Sequence, residues 1–128
     1  MKVLLDTHAF IWLVTDDPKL SETAKAVFLD NDNEILLSAV TGFEIAVKYS
    51  LGKLNLAEPP RQFIDKRIEA NALTPLPVTI AHTMWLADLP FHHRDPFDRL
   101  LVAQALSEDI PILSVDSQLS AYEIHRIW

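Results

Sequence analysis

The sequence predicts an α/β fold, a mainly parallel sheet covered on both faces by helices, and two observations carry that prediction. Short apolar runs recur at Val3-Leu4-Leu5, Ile35-Leu36-Leu37 and Ile112-Leu113, each ending at a polar or acidic residue. Between them lie longer stretches whose apolar residues repeat at helical spacing, and strands alternating with helices build parallel sheets. The 128 residues fit one domain, 1–128. A chain of that size buries roughly two-thirds of the surface it exposes when unfolded. With 49% hydrophobic residues, only 2 glycines and no repeat, nothing in the composition points to disorder or a solenoid.

Taken in order, Val3-Leu4-Leu5 is a strand ending at Asp6, and Thr7 to Val14 forms a helix carrying Phe10, Ile11 and Leu13. Pro18 breaks the chain before Ser21 and Glu22, which open a second helix with Ala24, Val27 and Phe28; Asp30 to Asn33 closes it. Glu34 to Ser38 is the second buried strand. Ser38 and Thr41 can both cap the next helix, which carries Glu44 and stops at Gly52. Pro59-Pro60 starts a helical stretch in which Phe63, Ile64, Ile68 and Leu73 recur at helical spacing.

Pro75 and Pro77 make the following strand short and place it at a sheet edge. Thr79 to Leu89 is helical again, with Met84, Trp85 and Leu86 as packing residues. After the loop Pro90 to Arg94, Asp95 supplies an N-cap and Pro96 the first helical position of a strongly apolar, buried helix. Pro111 to Val115 is the last clear strand before Asp116, and Glu123 to Trp128 offers one more. The three tryptophans, Trp12, Trp85 and Trp128, read as core or interface residues.

The composition also excludes several classes of function. There is no cysteine, so disulfides, thiolate metal sites and a cysteine nucleophile are all ruled out, and the chain suits the cytoplasm. Asp6 and His8 interrupt the apolar start before it reaches the length of a secretory signal, and no segment is long enough to span a membrane. A formal net charge of −7 argues against broad, charge-driven binding to nucleic acid. Any nucleic acid must be gripped locally, with Lys48, Lys53, Arg61, Lys66, Arg67, Arg94 and Arg99 as the available cations. No Gly-rich loop supports nucleoside triphosphate binding.

Four acids, Asp6, Glu44, Asp98 and Asp116, sit where apolar runs end or helices begin. Ligands of an open parallel sheet collect outside the carboxyl ends of its strands, so acids far apart in sequence can converge there. Each has a structural alternative. Asp6 and Asp116 can cap helices, for about 1 kcal/mol each, and Asp98 can complement a helix dipole as a first-turn acid. Glu44 lies inside a helix, where pairing with Lys48 at i,i+4 contributes roughly 0.3 to 0.5 kcal/mol when exposed. That pair still leaves carboxylate capacity for a metal. Asp95 and Asp98 are one turn apart and share a face, one as ligand and one as support.

Gathered carboxylates repel one another unless divalent cations are present or protonation is unusual, and cations are the simpler answer. All-oxygen sites suit Mg²⁺ or Mn²⁺, which keep several waters and also bind phosphate oxygens. Phosphate-ester chemistry follows from that choice. The five histidines show no zinc spacing, and His92-His93 reads as a solvated or hydrogen-bonded pair. His93, Arg94 and Arg99, flanking the Asp95 cap, are candidate contacts to substrate phosphate.

Leu4-Leu5-Asp6-Thr7-His8, Ser38 through Lys48, Arg94-Asp95-Pro96-Phe97-Asp98-Arg99-Leu100-Leu101 and Leu113-Ser114-Val115-Asp116 together resemble the PIN-domain family, in particular the VapC-type toxins of bacterial toxin–antitoxin pairs. The match runs from Lys2 onward in the family's order, and the Asp-Pro-Phe-Asp-Arg run is its most specific part. The resemblance implies a three-layer α/β/α sandwich and an endoribonuclease dependent on Mg²⁺ or Mn²⁺. It further implies a homodimer held in check by an antitoxin, whose Arg could dock in the acidic pocket.

On the same resemblance, Asp6 and Asp98 bind the principal cation, while Glu44 and Asp116 complete the pocket or hold a second. Asp95 is a further acid nearby, and Thr7 and Ser38 orient carboxylates. The bound metal would activate water for in-line attack on the phosphodiester. Ser114 stands where the family more often carries threonine, and both offer a hydroxyl.

The sequence also admits other readings. The chemistry would also serve an RNA-processing nuclease outside any toxin–antitoxin pair. A phospho-accepting receiver domain expects an adjacent acidic pair after the first strand and an acceptor Asp after a middle strand, and neither is clear. A haloacid-dehalogenase-like phosphatase needs an Asp two residues after its nucleophile, where this chain has His8. A non-catalytic binding module whose acids merely cap helices is the remaining alternative.

Overall fold

The strands lie side by side in the order β3-β2-β1-β4-β5, every neighbouring pair parallel. They are β1 (Lys2–Leu5), β2 (Glu34–Ser38), β3 (Thr74–Leu76), β4 (Ile112–Leu113) and β5 (Arg126–Ile127) in a computed structural model that describes Met1–Trp128. Six helices connect them: α1 (Thr7–Val14), α2 (Glu22–Leu29), α3 (Ala39–Ser50), α4 (Pro60–Ala70), α5 (Ile80–Met84) and α6 (Pro96–Glu108). Single 3₁₀ segments at Trp85–Ala87 and Ser117–Ala121 complete the chain.

Alternation along the strands divides the core in two. Val3, Leu5, Ile35, Leu37 and Leu113 face one side, where they pack on Ala9 and Phe10 of α1, Ala24 of α2, Ile45 of α3 and Phe63 of α4. Leu4, Leu36 and Ile112 face the other, against Leu101, Val102 and Ala105 of α6 and the buried Leu119 and Tyr122. Helices on both faces make the three-layer sandwich. Each fully buried Val, Leu, Ile or Phe among them contributes roughly 1.5 to 3 kcal/mol, and Phe10 and Phe63 meet edge to face at 6.1 Å.

Local chemistry sets most boundaries. Ser21 caps α2 through Ala24 N at 3.0 Å, and Asp95 Oδ1 caps α6 through Phe97 N at 2.8 Å, with Pro96 at the first helical position. Ser38, not Thr41, caps α3, accepting from Val40 N at 2.9 Å. Gly52 follows α3 at φ +70°, the left-handed region that favours glycine. Pro75 lies in β3, at the sheet edge where a missing N–H is tolerated.

Four elements differ from expectation. The helix that starts at Pro60 ends at Ala70, before Leu73, and the strand read over Glu123 to Trp128 pairs only at Arg126–Ile127. The strand read over Pro111 to Val115 pairs only at Ile112–Leu113, because Asp116 N turns back to Ser114 Oγ at 3.0 Å and ends the ladder. The helix read over Thr79 to Leu89 tightens to a 3₁₀ segment after Met84. Of the tryptophans, Trp128 packs at the edge of the first core and meets Trp12 in a tilted contact at 5.8 Å, whereas Trp85 is 46% exposed.

Candidate active site

The sheet reverses its order of growth at β1: β2 lies on one side of it and β4 on the other. The crevice beyond the carboxyl ends of such strands is where open α/β sheets bind ligands, and the four acids meet there. Asp6 follows β1 directly. Its N–H donates to Leu113 O at 3.0 Å, and its carboxylate caps α1 by accepting from Ala9 N at 2.7 Å. Burial raises its pKa, and the nearby Asp116 charge adds to the rise. The Ser114 hydroxyl, the Ala9 amide and His8 work in the opposite direction.

Glu44 comes to the same place from the second turn of α3, and its side chain is only 4% exposed. Thr7 Oγ1 donates to Glu44 Oε1 at 2.7 Å. Thr7 has one hydroxyl proton, so in its 3.1 Å contact with Thr41 the latter is the donor. Lys48, one turn along α3, pairs with Glu44 Oε2, and that hydrogen bond is the main reason the lysine pKa is raised. Glu44 therefore has a cationic partner within the protein. The other acids have no lysine or arginine partner, and Glu44 still adds to the negative field they share.

Asp98 shows the consequence. Its pKa is raised to about 7, first by burial, then by Asp95, with Asp6 and Glu44 adding to the rise and His93 opposing it. A carboxylate held in that state by its own neighbours is a site that a cation would relieve. His93 Nε2 lies 3.2 Å from Asp98 Oδ2 and 2.7 Å from Asp116 Oδ2. These three residues present ligand atoms within 4.8 Å of one another. His93 nevertheless is no metal ligand in this arrangement. Its Nδ1 accepts the backbone N–H of Asp95 at 3.0 Å, which places the ring proton on Nε2 and makes that atom a donor to the two carboxylates. The donors left for a cation are carboxylate oxygens, a hard set that fits a divalent cation of the alkaline-earth or Mn²⁺ kind.

The model of the PIN domain matches residues 3–124. The chain belongs to the PIN-domain family. Ribonuclease VapC22 of Mycobacterium tuberculosis is 25% identical over 124 residues, 97% of this PIN chain and 94% of that protein. Ribonuclease VapC16 of the same organism is 40% identical over 70 residues, 52% of this chain and about half (50%) of that protein's length. Among solved structures, VapBC2 from Rickettsia felis, bound to a DNA fragment from its promoter, superposes with a TM-score of 0.73 at 15% identity. That match covers 98% of this chain and 97% of the other. A toxin–antitoxin complex from Klebsiella pneumoniae superposes with a TM-score of 0.66 at 14% identity, covering 98% and 96%.

In this PIN domain the residues singled out by sequence separate into two groups. Asp6, Glu44, Asp98 and Asp116 converge, with Asp95, Thr7 and Lys48 beside them, while three others stand apart. Ser38 does not reach a carboxylate, because its hydroxyl is spent on the Oε1 of buried Gln104; it is Ser114 that hydrogen-bonds Asp6. Arg99 is buried against backbone carbonyls, and Arg94 is exposed. Sequence reasoning missed Tyr122, whose hydroxyl accepts His93 N–H at 3.0 Å. It also missed the link from His93 to Asp116. The single local signal for both was the clustering of His92-His93-Arg94 immediately before the Asp95 cap. No helix is long and apolar enough to cross a membrane.

Proposed function

We propose that this protein is an endoribonuclease that uses Mg²⁺ or Mn²⁺ to hydrolyse RNA phosphodiester bonds, and that it is the toxin of a toxin–antitoxin pair. The observation that carries the reading is the convergence of Asp6, Glu44, Asp98 and Asp116 at the strand ends of a PIN fold, with Asp98 driven to about 7 by burial and its acidic neighbours. Two relatives are named ribonucleases, and the Klebsiella structure is a toxin–antitoxin complex. A homodimer belongs to the same reading. The exposed Ile80, Met84 and Trp85 form an apolar face that a second copy could cover.

The roles divide by exposure and charge. Asp6 and Asp98 bind the principal cation, and Asp116 completes the pocket. Glu44, paired with Lys48, presents an oriented carboxylate fixed by Thr7. A divalent cation, when bound, supplies Lewis-acid assistance to water attack and to the departing oxygen. Arg94, exposed beside the pocket, contacts a substrate phosphate. The cytoplasm is where such an enzyme meets both RNA and antitoxin.

The test is cleavage of structured RNA by purified protein freed of any partner, with Mg²⁺ or Mn²⁺ and then with chelator, beside Asp6→Asn. Metal-dependent cleavage lost in a folded variant is the expected result. Absence of cleavage across a panel of RNAs, together with absence of Mn²⁺ binding, would turn the assignment to a non-catalytic module.

A further inference from the structure

Arg99 is an unusual charge: 7% exposed, on α6, with no carboxylate within salt-bridge distance. Burying a guanidinium without a counterion is unfavourable unless every donor finds an acceptor. Here the acceptors come from one short stretch of chain. Nη1 donates to Pro90 O at 2.8 Å, Nη2 donates to Leu89 O at 3.2 Å, and the guanidinium carbon stacks 4.1 Å from the centroid of the Phe91 ring. Nη1 also lies 3.4 Å from the Tyr122 hydroxyl. The buried cation therefore organises residues 89–91, the segment that leads into His93.

Tyr122 makes the second connection. It is 5% exposed, its ring meets His92 edge to face at 5.0 Å, and its hydroxyl accepts the His93 N–H at 3.0 Å. His93 is thus held at three points: its amide on Tyr122, its Nδ1 on the Asp95 N–H, and its Nε2–H across Asp98 and Asp116. Charge-assisted hydrogen bonds fix geometry more firmly than neutral ones, and a bidentate, stacked site is one where lysine cannot replace arginine.

We propose that Arg99 and Tyr122 are positioning residues for the metal site: they brace the Leu89–Arg94 loop so that the His93 imidazole sets the separation and orientation of Asp98 and Asp116. This rests on the reading of the acid cluster as a divalent-cation site. Groups that orient metal-binding carboxylates change affinity by about 10- to 100-fold when removed. The brace acts on binding of the cation, before any chemistry.

The experiment measures Mn²⁺ affinity by electron paramagnetic resonance of the free ion for the full chain, Tyr122→Phe and Arg99→Lys. Side-chain ¹⁵N spectra of His93 in the metal-free proteins accompany it. Tyr122→Phe keeps the ring against His92 and loses only the hydroxyl. It is expected to weaken Mn²⁺ binding about tenfold and to shift the His93 ring nitrogens away from a single Nε2–H tautomer. Arg99→Lys is expected to do the same; if it fails to fold, Tyr122→Phe decides alone. A Tyr122→Phe protein that melts at a lower temperature yet binds Mn²⁺ as the parent does would overturn the brace and leave the nuclease reading standing. A parent protein that binds no Mn²⁺ would overturn both.

Discussion

The two halves of the acid cluster are built differently. The Glu44 side chain is 4% exposed and tied on one oxygen by Thr7 and on the other by Lys48, both on regular helices. Asp98 and Asp116 have side chains 24% and 30% exposed and share a single imidazole supplied by a loop. One half is finished by the strand ends and the helices that leave them. The other takes its shape largely from His93, Asp116 and Tyr122, which lie outside the regular helices and strands. The difference teaches where adaptation to a cation and a substrate can occur: the buried half fixes the position of the site, and the half-buried half sets its carboxylate spacing through a loop that is braced on Arg99 and Tyr122.

The largest effect should come from the acid common to both halves. Asp6→Asn removes a charged ligand but keeps the helix cap, because Asn caps about as well as Asp. The expected loss of metal-dependent cleavage is greater than the roughly 100-fold upper figure for an orienting residue. The melting temperature should stay level or rise, since burial already raises the Asp6 pKa. A folded Asp6→Asn protein with parental activity would show that the acid is a cap and nothing more.

Next in size is Thr7→Val, which strikes only the buried half. It leaves Glu44 Oε1 without its 2.7 Å donor. An unsatisfied buried acceptor costs about 1 to 3 kcal/mol, and denaturant unfolding would record it. Mn²⁺ affinity should fall about tenfold. If stability drops and affinity does not, the Thr7 hydroxyl serves folding alone, and the two halves are less alike in purpose than proposed.

The half-buried side carries a pH signature. Asp98 has a folded pKa of about 7 against an ordinary value of 3.8. Between those values the folded, metal-free protein holds a proton that the unfolded chain has released, so stability falls as pH rises from about 4 through about 7. The metal-free protein should melt a few degrees lower at pH 8 than at pH 5.5. Asp98→Asn should flatten much of that slope, and Mn²⁺ should raise the melting temperature more at pH 8 than at pH 5.5. An Asp98→Asn protein with the parental slope would assign it to other groups.

How far the sequence disclosed this architecture follows from the range of the interactions involved. Asp6, Asp98 and Asp116 could be found because each ends an apolar run or opens a helix, a pattern visible within a few residues. Ser21, Ser38 and Asp95 were legible as caps for the same reason. Glu44 stood out by being an acid among Phe43, Ile45 and Val47. The links across the site had no such signature. His93 and Asp116 are 23 residues apart, as are Arg99 and Tyr122, and Ser38 finds Gln104 across 66. Nothing in the periodicity of either partner announces the other. The sequence pointed to Ser38 as the serine that orients a carboxylate; strand order favours Ser114, because β4 lies beside β1 and places Ser114 next to Asp6.

The smallest expected effect falls outside both halves, at Arg94. Its neighbours His93 and Asp95 are committed to hydrogen bonds within the site, while the Arg94 side chain is exposed. A cation there meets a phosphate through solvent, at a cost in entropy and under salt screening, so its contribution is on the order of 1 kcal/mol or less. Arg94→Ala should raise KM for RNA by no more than about tenfold and leave kcat, Mn²⁺ affinity and melting temperature unchanged. The difference from the parent should shrink as ionic strength rises. A fall in kcat with unchanged KM would instead place Arg94 at the reacting phosphate, and the loop half of the site would then act on the chemistry as well as on the carboxylates.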